Sequence, residues 1–262
     1  MEKVTSSRPF HEAPTICFLN PALMPGWFWL PTAHYVQQKG FSYVIPDVLR
    51  EKTDVSIKQN VDIIEQSLSG QGKHYLVALS RGVEYAVRYI DRMSKQGKLD
   101  KIVGWTVLSS VGPRGYESVI EAESRPMSRH TPGYSRGIKL DKNGLEFIDK
   151  TVAVSTLLHD VSDPRLCAQT LKDMIRNRPL ADTEISAVPR LRQGTLPLTW
   201  YIGLHDKVDN TELSAQVAHQ KFGVEAKYVE WGHVSPLTNT SGVGDVIIHD
   251  ALQALIEQGG RA

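Results

Sequence analysis

Residues 74–83 read His-Tyr-Leu-Val-Ala-Leu-Ser-Arg-Gly-Val. Their apolar, β-rich start predicts a buried strand over 73–79, and the apolar spacing that follows Gly82 predicts a helix. A serine at a strand-to-helix junction, with a small residue two places before it and another two places after it, is the pattern of a nucleophile elbow. Ala78 and Gly82 are those small residues, so Ser80 is a candidate catalytic nucleophile. The alternative is that Ser80 only caps the helix.

Strands and helices alternate on both sides of this junction. Further strands are predicted at residues 15–19, 41–45, 101–108, 198–203 and 226–231. Helices are predicted at residues 26–38, 55–68, 83–93 and 211–222, with a closing helix in which Ile248, Leu252 and Leu255 share a face. This alternation predicts an α/β fold, with a mostly parallel sheet covered by helices on both faces.

The alternation breaks between residues 111 and 196, where the sequence contains no clear strand. Residues 124–136 are polar and predict a loop, whereas 144–158 and 163–175 predict helices. We therefore expect a sheet domain interrupted by a mainly helical cap insertion, with the core at 1–110 and 197–262 and the insertion at 111–196.

Composition and charge narrow the class of protein. A chain of 262 residues with 41% apolar and 23% charged residues is typical of a soluble globular domain. The net charge of +1 gives no argument for binding nucleic acid or a membrane surface. Cys17 and Cys167 predict free thiols rather than a disulfide framework. Residues 1–14 lack the apolar region of a secretory signal and no long apolar run follows, so we expect a cytoplasmic protein.

Two later strand ends supply candidates for the acid and the base of a triad. The predicted strand at 198–203 leads into Leu-His-Asp-Lys-Val-Asp, in which Asp206 is the candidate acid that would orient a histidine. Asp209 is the substitute, and its alternative role is to cap the next helix. The strand at 226–231 leads into Gly-His, and His233 is the candidate base because an unperturbed imidazole titrates near pH 6.5.

With these residues in place, the chain resembles the α/β-hydrolases, whose triads run in the order serine, acid, histidine. It resembles in particular the plant methylesterases and hydroxynitrile lyases and their bacterial relatives. The likeness covers nearly the whole chain. It is carried by the elbow, by the Gly-His segment and by residues 19–29 (Leu-Asn-Pro-Ala-Leu-Met-Pro-Gly-Trp-Phe-Trp), 107–118, 159–164 and 178–179.

The resemblance implies an enzyme that acts on a small molecule. The sequence has no phosphate loop, dinucleotide-binding glycine pattern or metal-binding cluster, so we expect neither a cofactor nor a metal. It places the oxyanion hole on the backbone N–H groups of Ala22 and Arg81. The candidate residues of the substrate pocket are Asn20, Leu23, Trp27 and Tyr116. A homodimer formed through the insertion would follow from the analogy alone, and no nucleic acid or membrane partner is expected.

The sequence departs from the family pattern at two places. The family's His-Gly-Ala turn is replaced by Asn20-Pro21-Ala22, and proline fixes φ, which would reshape the oxyanion loop. The usual Gly-His-Ser-Met-Gly-Gly elbow is replaced by Ala-Leu-Ser-Arg-Gly-Val, which puts the permanent cation of Arg81 beside the nucleophile. Arg81 either binds an anionic substrate or forms an outward salt bridge with Glu84 or Glu12, and we favour the salt bridge.

The expected function is that of a serine hydrolase that cleaves an ester, thioester or lactone. Ser80 would attack the carbonyl carbon, His233 would move the proton and Asp206 would orient His233, with water then releasing the acyl group. The alternative is a lyase, a C–C hydrolase or an isomerase-type natural-product enzyme that uses the same serine and histidine as an acid–base pair. A third alternative is a non-catalytic binding protein.

Overall fold

The computed structural model describes residues 13–48, 51–114, 128–187 and 189–259. Within these ranges the strands are β1 (Thr15–Leu19), β2 (Tyr43–Val44), β3 (His74–Leu79), β4 (Ile102–Leu108), β5 (Ile138–Leu140), β6 (Glu146–Ile148), β7 (Leu198–Gly203) and β8 (Lys227–Val229). Six of them form a sheet in the order β2-β1-β3-β4-β7-β8, and every neighbouring pair in it is parallel. The predicted α/β fold is confirmed.

Helices follow most of the strands. In the described ranges they are α1 (Leu30–Gln38), α2 (Ile57–Ser67), α3 (Gly82–Lys95), α4 (Pro132–Gly137), α5 (Lys150–Ser155), α6 (Pro164–Asp173), α7 (Asp182–Ser186), α8 (Thr211–Val217), α9 (Ser235–Thr238) and α10 (Thr240–Gly259). A 3₁₀ turn at Gly26–Trp29 precedes α1, another lies at Leu99–Lys101, and a π-helical turn at Ala218–Phe222 extends α8. No helix in this part of the chain is long and apolar enough to cross a bilayer.

The sheet separates two apolar clusters, as the continuous apolar runs of its strands predict. β3 and β4 are buried along their whole lengths. One cluster holds the apolar faces of α2 and α3, and the other holds those of α1 and α10. The helix predicted at 55–68 is confirmed, and the apolar residues that recur at helical spacing in it are buried: Ile57, Val61, Ile64 and Leu68.

The part of the chain between β4 and β7 differs from the prediction. We expected no strand there, yet β5 and β6 pair as an antiparallel hairpin. The helix predicted at 144–158 is instead β6 followed by α5, which begins after Asp149, whose side chain accepts a hydrogen bond from Thr151 N at 2.9 Å. The predicted loop at 124–136 contains the start of α4, and its first residues, 124–127, lie outside the described residues.

The buried face of α10 also differs from the prediction. Val243, Ile247 and Ala251 are fully buried, whereas the predicted set of Ile248, Leu252 and Leu255 is half-buried. Both sets have helical spacing, so the sequence period alone does not select between them. The two cysteines agree with the prediction, because Cys17 and Cys167 are both free thiols.

Candidate active site

Ser80 lies at the sharp turn between β3 and α3. Its φ of 50° is in the left-handed region, which non-glycine residues rarely adopt and which is characteristic of strained functional turns. Gly82 permits the turn, since a Cβ atom at this position would lie 2.5 Å from the carbonyl oxygen of Leu19. The side chain of Ser80 does not cap α3, because that helix begins after Arg81 without a side-chain capping bond. Ser80 therefore has the local geometry of a nucleophile elbow.

The neighbouring strand β4 and its exit hold this turn in place. The backbone N–H of Ser80 donates to Leu108 O at 3.2 Å, which continues the pairing of β3 with β4. On the other side, Ser110 Oγ donates to Ser80 O at 3.1 Å. Both bonds use the backbone of Ser80, so its half-buried hydroxyl stays available for chemistry.

Asp206 and His233 form a buried pair beyond the ends of β7 and β8. Asp206 Oδ2 lies 2.8 Å from His233 Nδ1, and the two side chains are 2% and 3% exposed. The other oxygen, Asp206 Oδ1, accepts hydrogen bonds from the backbone of Val208 at 2.8 Å and of Asp209 at 3.2 Å. Because the carboxylate is fixed by the backbone, it holds the imidazole in one orientation and directs its Nε2 away from the acid.

In this pair each residue shifts the pKa of the other toward its charged form. Burial alone would lower the pKa of His233, but the Asp206 carboxylate, with smaller contributions from Asp209 and Asp160, raises that pKa to about 9. Burial alone would raise the pKa of Asp206, but the charge of His233 and hydrogen bonds from His233 and the backbone lower it. The pair therefore favours a carboxylate beside an imidazolium, the charge state that a triad acid stabilises during proton transfer.

Asp209, the substitute acid, has a different partner. Its Oδ1 lies 3.0 Å from His130 Nδ1, whereas its Oδ2 is 3.8 Å from His233 Nδ1, beyond hydrogen-bonding distance. Its predicted alternative role as a helix cap is wrong, because Asn210 Oδ1 caps α8 by accepting from Leu213 N at 3.1 Å. Of the two aspartates, Asp206 is the one placed to orient His233.

His130 was not anticipated from the sequence, because no motif surrounds it. It forms an antiparallel bridge with Asp209, and the bond from Thr131 N to Val208 O at 2.8 Å continues the pairing. Thr131 Oγ1 adds a bond to Lys207 O at 2.7 Å. These contacts fasten the chain before α4 to the loop that carries Asp206.

Asp206, Asp209 and His233 each place one potential metal-ligand atom within 4.8 Å of the others. The hydrogen bonds just described account for this convergence, since Asp206 holds His233 and Asp209 holds His130.

Ser80 opens onto a cavity of about 210 Å³. The described residues that line it are Ala22, Leu23, Ser80, Arg81, Glu84, Arg114, Arg129, His130, Tyr134, Ser135, Ile138, Glu146 and Leu180. Most of this wall comes from the chain after β4, where residues 124–136 were predicted to form a polar loop. His233 is buried and is not among the described residues that line this cavity, and within the described ranges no hydrogen bond joins it to Ser80 Oγ.

Of the described residues that were predicted to line the substrate pocket, only some line this cavity. Leu23 lines it. Asn20 does not, because its buried side chain donates to Pro46 O at 3.3 Å. Trp27 does not either, because its indole N–H donates to Asp173 Oδ2, 3.0 Å away on α6. Tyr116 lies outside the described residues.

The two predicted oxyanion donors, Ala22 and Arg81, both line the cavity. In the described part of the chain, the backbone N–H of neither residue donates to an acceptor. Leu23, which follows Ala22, has a φ of 63°, so the loop after β1 is strained at the point where it borders the cavity. Two unused donors beside a serine hydroxyl are what an oxyanion hole requires.

Of the two salt bridges predicted for the side chain of Arg81, the one with Glu84 is not formed. Glu84 is held by Arg88, whose Nη1 donates to Glu84 Oε2 at 2.7 Å, and Glu12 lies outside the described residues. Arg81 instead turns toward the cavity wall. Its Nη2 donates to Arg178 O at 2.6 Å, and its Nη1 lies 3.6 Å from Glu146 Oε2.

Comparisons with known proteins identify the fold. No protein-family model and no curated protein matches the chain. Among solved structures, it is similar to a pyrethroid hydrolase from Sphingobium faniae, with a TM-score of 0.70 and 16% identity over 91% of this chain and 97% of that one. It is also similar to tomato methylketone synthase I in complex with β-ketoheptanoate, with a TM-score of 0.72 and 11% identity over 92% and 99%.

A third similar structure is polyneuridine aldehyde esterase, with a TM-score of 0.67 and 9% identity over 91% of this chain and 99% of that one. These matches extend over almost the full length of both chains. The six-stranded parallel sheet with helices on both faces agrees with them. The chain has the α/β-hydrolase fold.

Proposed function

We propose that this protein is a serine hydrolase that cleaves an ester, thioester or lactone of a small organic molecule. The observation that carries the proposal is the buried 2.8 Å contact between His233 Nδ1 and Asp206 Oδ2, on a fold in which Ser80 is held in a strained elbow beside a cavity. A buried carboxylate fixed to an imidazole is a costly arrangement that a proton-transfer role explains.

The proposed reaction gives each of these groups a role. Ser80 Oγ attacks the carbonyl carbon while its proton passes to His233 Nε2, and Asp206 stabilises the imidazolium that results. The N–H groups of Ala22 and Arg81 stabilise the oxyanion, with each donor contributing roughly 3 kcal/mol in comparable enzymes. The leaving group takes the proton from His233, and water activated by the same histidine then releases the acid from Ser80.

The names of two similar structures support hydrolysis, because one is a pyrethroid hydrolase and another is an aldehyde esterase. The chain between β4 and β7 supplies most of the cavity wall. We infer that this segment acts as the cap that selects the substrate.

The test is labelling of the purified protein with a fluorophosphonate probe. We expect wild type to be labelled and both Ser80→Ala and His233→Ala to lose the label. Ser155→Ala, which removes an exposed hydroxyl from α5, is the matched control and should label like wild type. Equal labelling of Ser80→Ala and wild type would refute the proposal.

One observation favours acid–base chemistry without an acyl-enzyme as the second candidate function. Ser80 Oγ makes no hydrogen bond to His233 within the described ranges, so the serine is not visibly activated. Catalytic hydrogen bonds often tighten only when substrate binds, which is why we place hydrolysis first. A lyase, C–C hydrolase or isomerase would convert its substrate without covalent modification of Ser80.

A further inference from the structure

In the wall of the cavity two guanidinium groups share a single carboxylate. Arg81 Nη1 lies 3.6 Å from Glu146 Oε2, and Arg114 Nη2 lies 3.9 Å from Glu146 Oε1. Both separations are longer than an N–H···O hydrogen bond, which spans about 2.7–3.2 Å. Glu146 therefore lies between two cations without forming a close bidentate pair with either of them.

The other acidic residue that lines the cavity, Glu84, is paired with an arginine that does not line it. Arg88, which does not line the cavity, donates to Glu84 Oε2 at 2.7 Å. The second oxygen of Glu84 accepts the backbone N–H of Arg114 at 2.5 Å. Arg81 and Arg114 are thus left with Glu146 as their shared counter-ion, and the lining has an excess of positive charge among its described residues.

Arg81 also has a donor that no protein group satisfies. Its Nε is buried, and within the described ranges no acceptor lies at hydrogen-bonding distance from it. The side chain is only 12% exposed, so water gives it little compensation. Burial also lowers the pKa of Arg114, which reflects the cost of holding its charge out of water. An anion that approached the two guanidinium groups from the cavity would add the close hydrogen bonds that Glu146 does not make.

We propose that Arg81 and Arg114 form a subsite for a carboxylate carried by the substrate. Taken with the proposed function, on which the nature of the cleaved bond rests, this makes the substrate a small acidic ester, such as the monoester of a short dicarboxylic acid. The planar fork of arginine matches the two oxygens of a carboxylate. The cavity, at about 210 Å³, is smaller than the roughly 300–1,000 Å³ of pockets for drug-sized ligands, which favours a short acid.

The first test compares two esters of similar size, monomethyl succinate, which carries a carboxylate, and methyl 4-oxopentanoate, in which a neutral acetyl group takes its place. We expect kcat/KM for the acidic ester to exceed that for the neutral ester in wild type. In Arg114→Gln and in Arg81→Gln this ratio should fall roughly tenfold or more. Arg165→Gln removes an exposed arginine from α6, outside the cavity, and should leave the ratio unchanged. A wild-type ratio near one would overturn the proposal.

The second test measures binding alone, so that it separates this proposal from the proposed function. Succinate should raise the melting temperature of wild type and slow fluorophosphonate labelling of Ser80, and Arg114→Gln should abolish both effects. If wild type is labelled but succinate changes neither its melting temperature nor its rate of labelling, the subsite is overturned and the proposed hydrolase function is still supported. The opposite result is also informative. If succinate stabilises wild type but not Arg114→Gln, and the probe labels neither protein, the subsite is supported and the proposed hydrolase function is overturned. If Arg114→Gln fails to fold, Arg114→Lys replaces it and should show weakened binding, because lysine lacks the planar fork.

Discussion

Asp206 Oδ2 lies 2.8 Å from His233 Nδ1, in a place where both side chains are almost completely buried. A second carboxylate, that of Asp209, lies only 1.0 Å farther from the same nitrogen, at 3.8 Å. The difference is decisive because a hydrogen bond exists at the first distance and not at the second. The structure thus assigns one aspartate to each of two histidines, Asp206 to His233 and Asp209 to His130.

This division predicts unequal effects of two matched substitutions. Asp206→Asn should lower kcat/KM roughly 10³–10⁴-fold, because the amide no longer stabilises the imidazolium and favours the wrong tautomer. Asp209→Asn should cause a much smaller loss, since its carboxylate does not bond to His233. Steady-state kinetics on one ester substrate would measure both. A larger loss in Asp209→Asn would make Asp209 the functional acid.

The raised pKa of His233 predicts an alkaline activity profile. A general base must be neutral to accept the proton of Ser80, and the folded-state pKa of His233 is raised to about 9. The kcat/KM value should therefore rise with pH through that range. In Asp206→Asn the main cause of the shift is removed, so the residual activity should rise at lower pH. A wild-type profile already flat above about pH 7 would contradict this assignment.

The elbow predicts a strong effect of adding a single methyl group. In Gly82→Ala the new Cβ would lie 2.5 Å from Leu19 O, so β1 or the turn at Ser80 must shift. We expect a loss of about 1–3 kcal/mol in the free energy of unfolding and a loss of fluorophosphonate labelling. Gly72→Ala is the control, since no atom lies within 4 Å of a Cβ at that position. Urea unfolding of both variants checks the prediction, which fails if the two behave alike.

The hydrogen bonds of Glu184 predict that the free energy of unfolding decreases at low pH. Its carboxylate accepts two bonds of 2.7 Å from Arg178 and one of 2.8 Å from Ile57 N. Burial alone would raise its pKa, but these bonds, with one from the backbone of Ala181, lower it to about 2. The folded pKa lies below the ordinary value near 4.5, so the stabilisation is complete above that pH and disappears as pH falls through about 2.

Glu184→Gln should therefore be less stable than wild type by about 1–3 kcal/mol at pH 7, because it loses charge-assisted bonds. The difference should shrink as the pH falls through about 2. Urea unfolding at a series of pH values measures it, with Glu257→Gln, an exposed position on α10, as the control. A difference between wild type and Glu184→Gln that does not change with pH would show that the Glu184 charge is not the cause.

The sheet and the positions of the triad candidates could be predicted because each depends on local sequence. Ser80 is marked by its small neighbours at a strand end, and Asp206 and His233 each follow an apolar strand. These signals lie within a few residues of the group that they identify. The parallel order of the strands then brings their carboxyl ends to one edge of the sheet.

The cavity wall could not be predicted because it depends on contacts between distant residues. The hydrogen bond from Trp27 to Asp173 joins residues 146 positions apart and removes the indole from the expected pocket. β5 and β6 have three residues each, too few to show an alternating pattern. His130 is placed by its bridge with Asp209, for which the sequence contains no signal.

The most direct test of the central claim is to identify the covalent intermediate. Wild type would be mixed with an activated ester, quenched in acid within the first turnover and digested for peptide mass spectrometry. We predict that the acyl group is found on the peptide that contains Ser80 and accumulates there before release. Turnover of the ester with no acyl group on Ser80, or with the acyl group on another residue, would contradict the proposed mechanism.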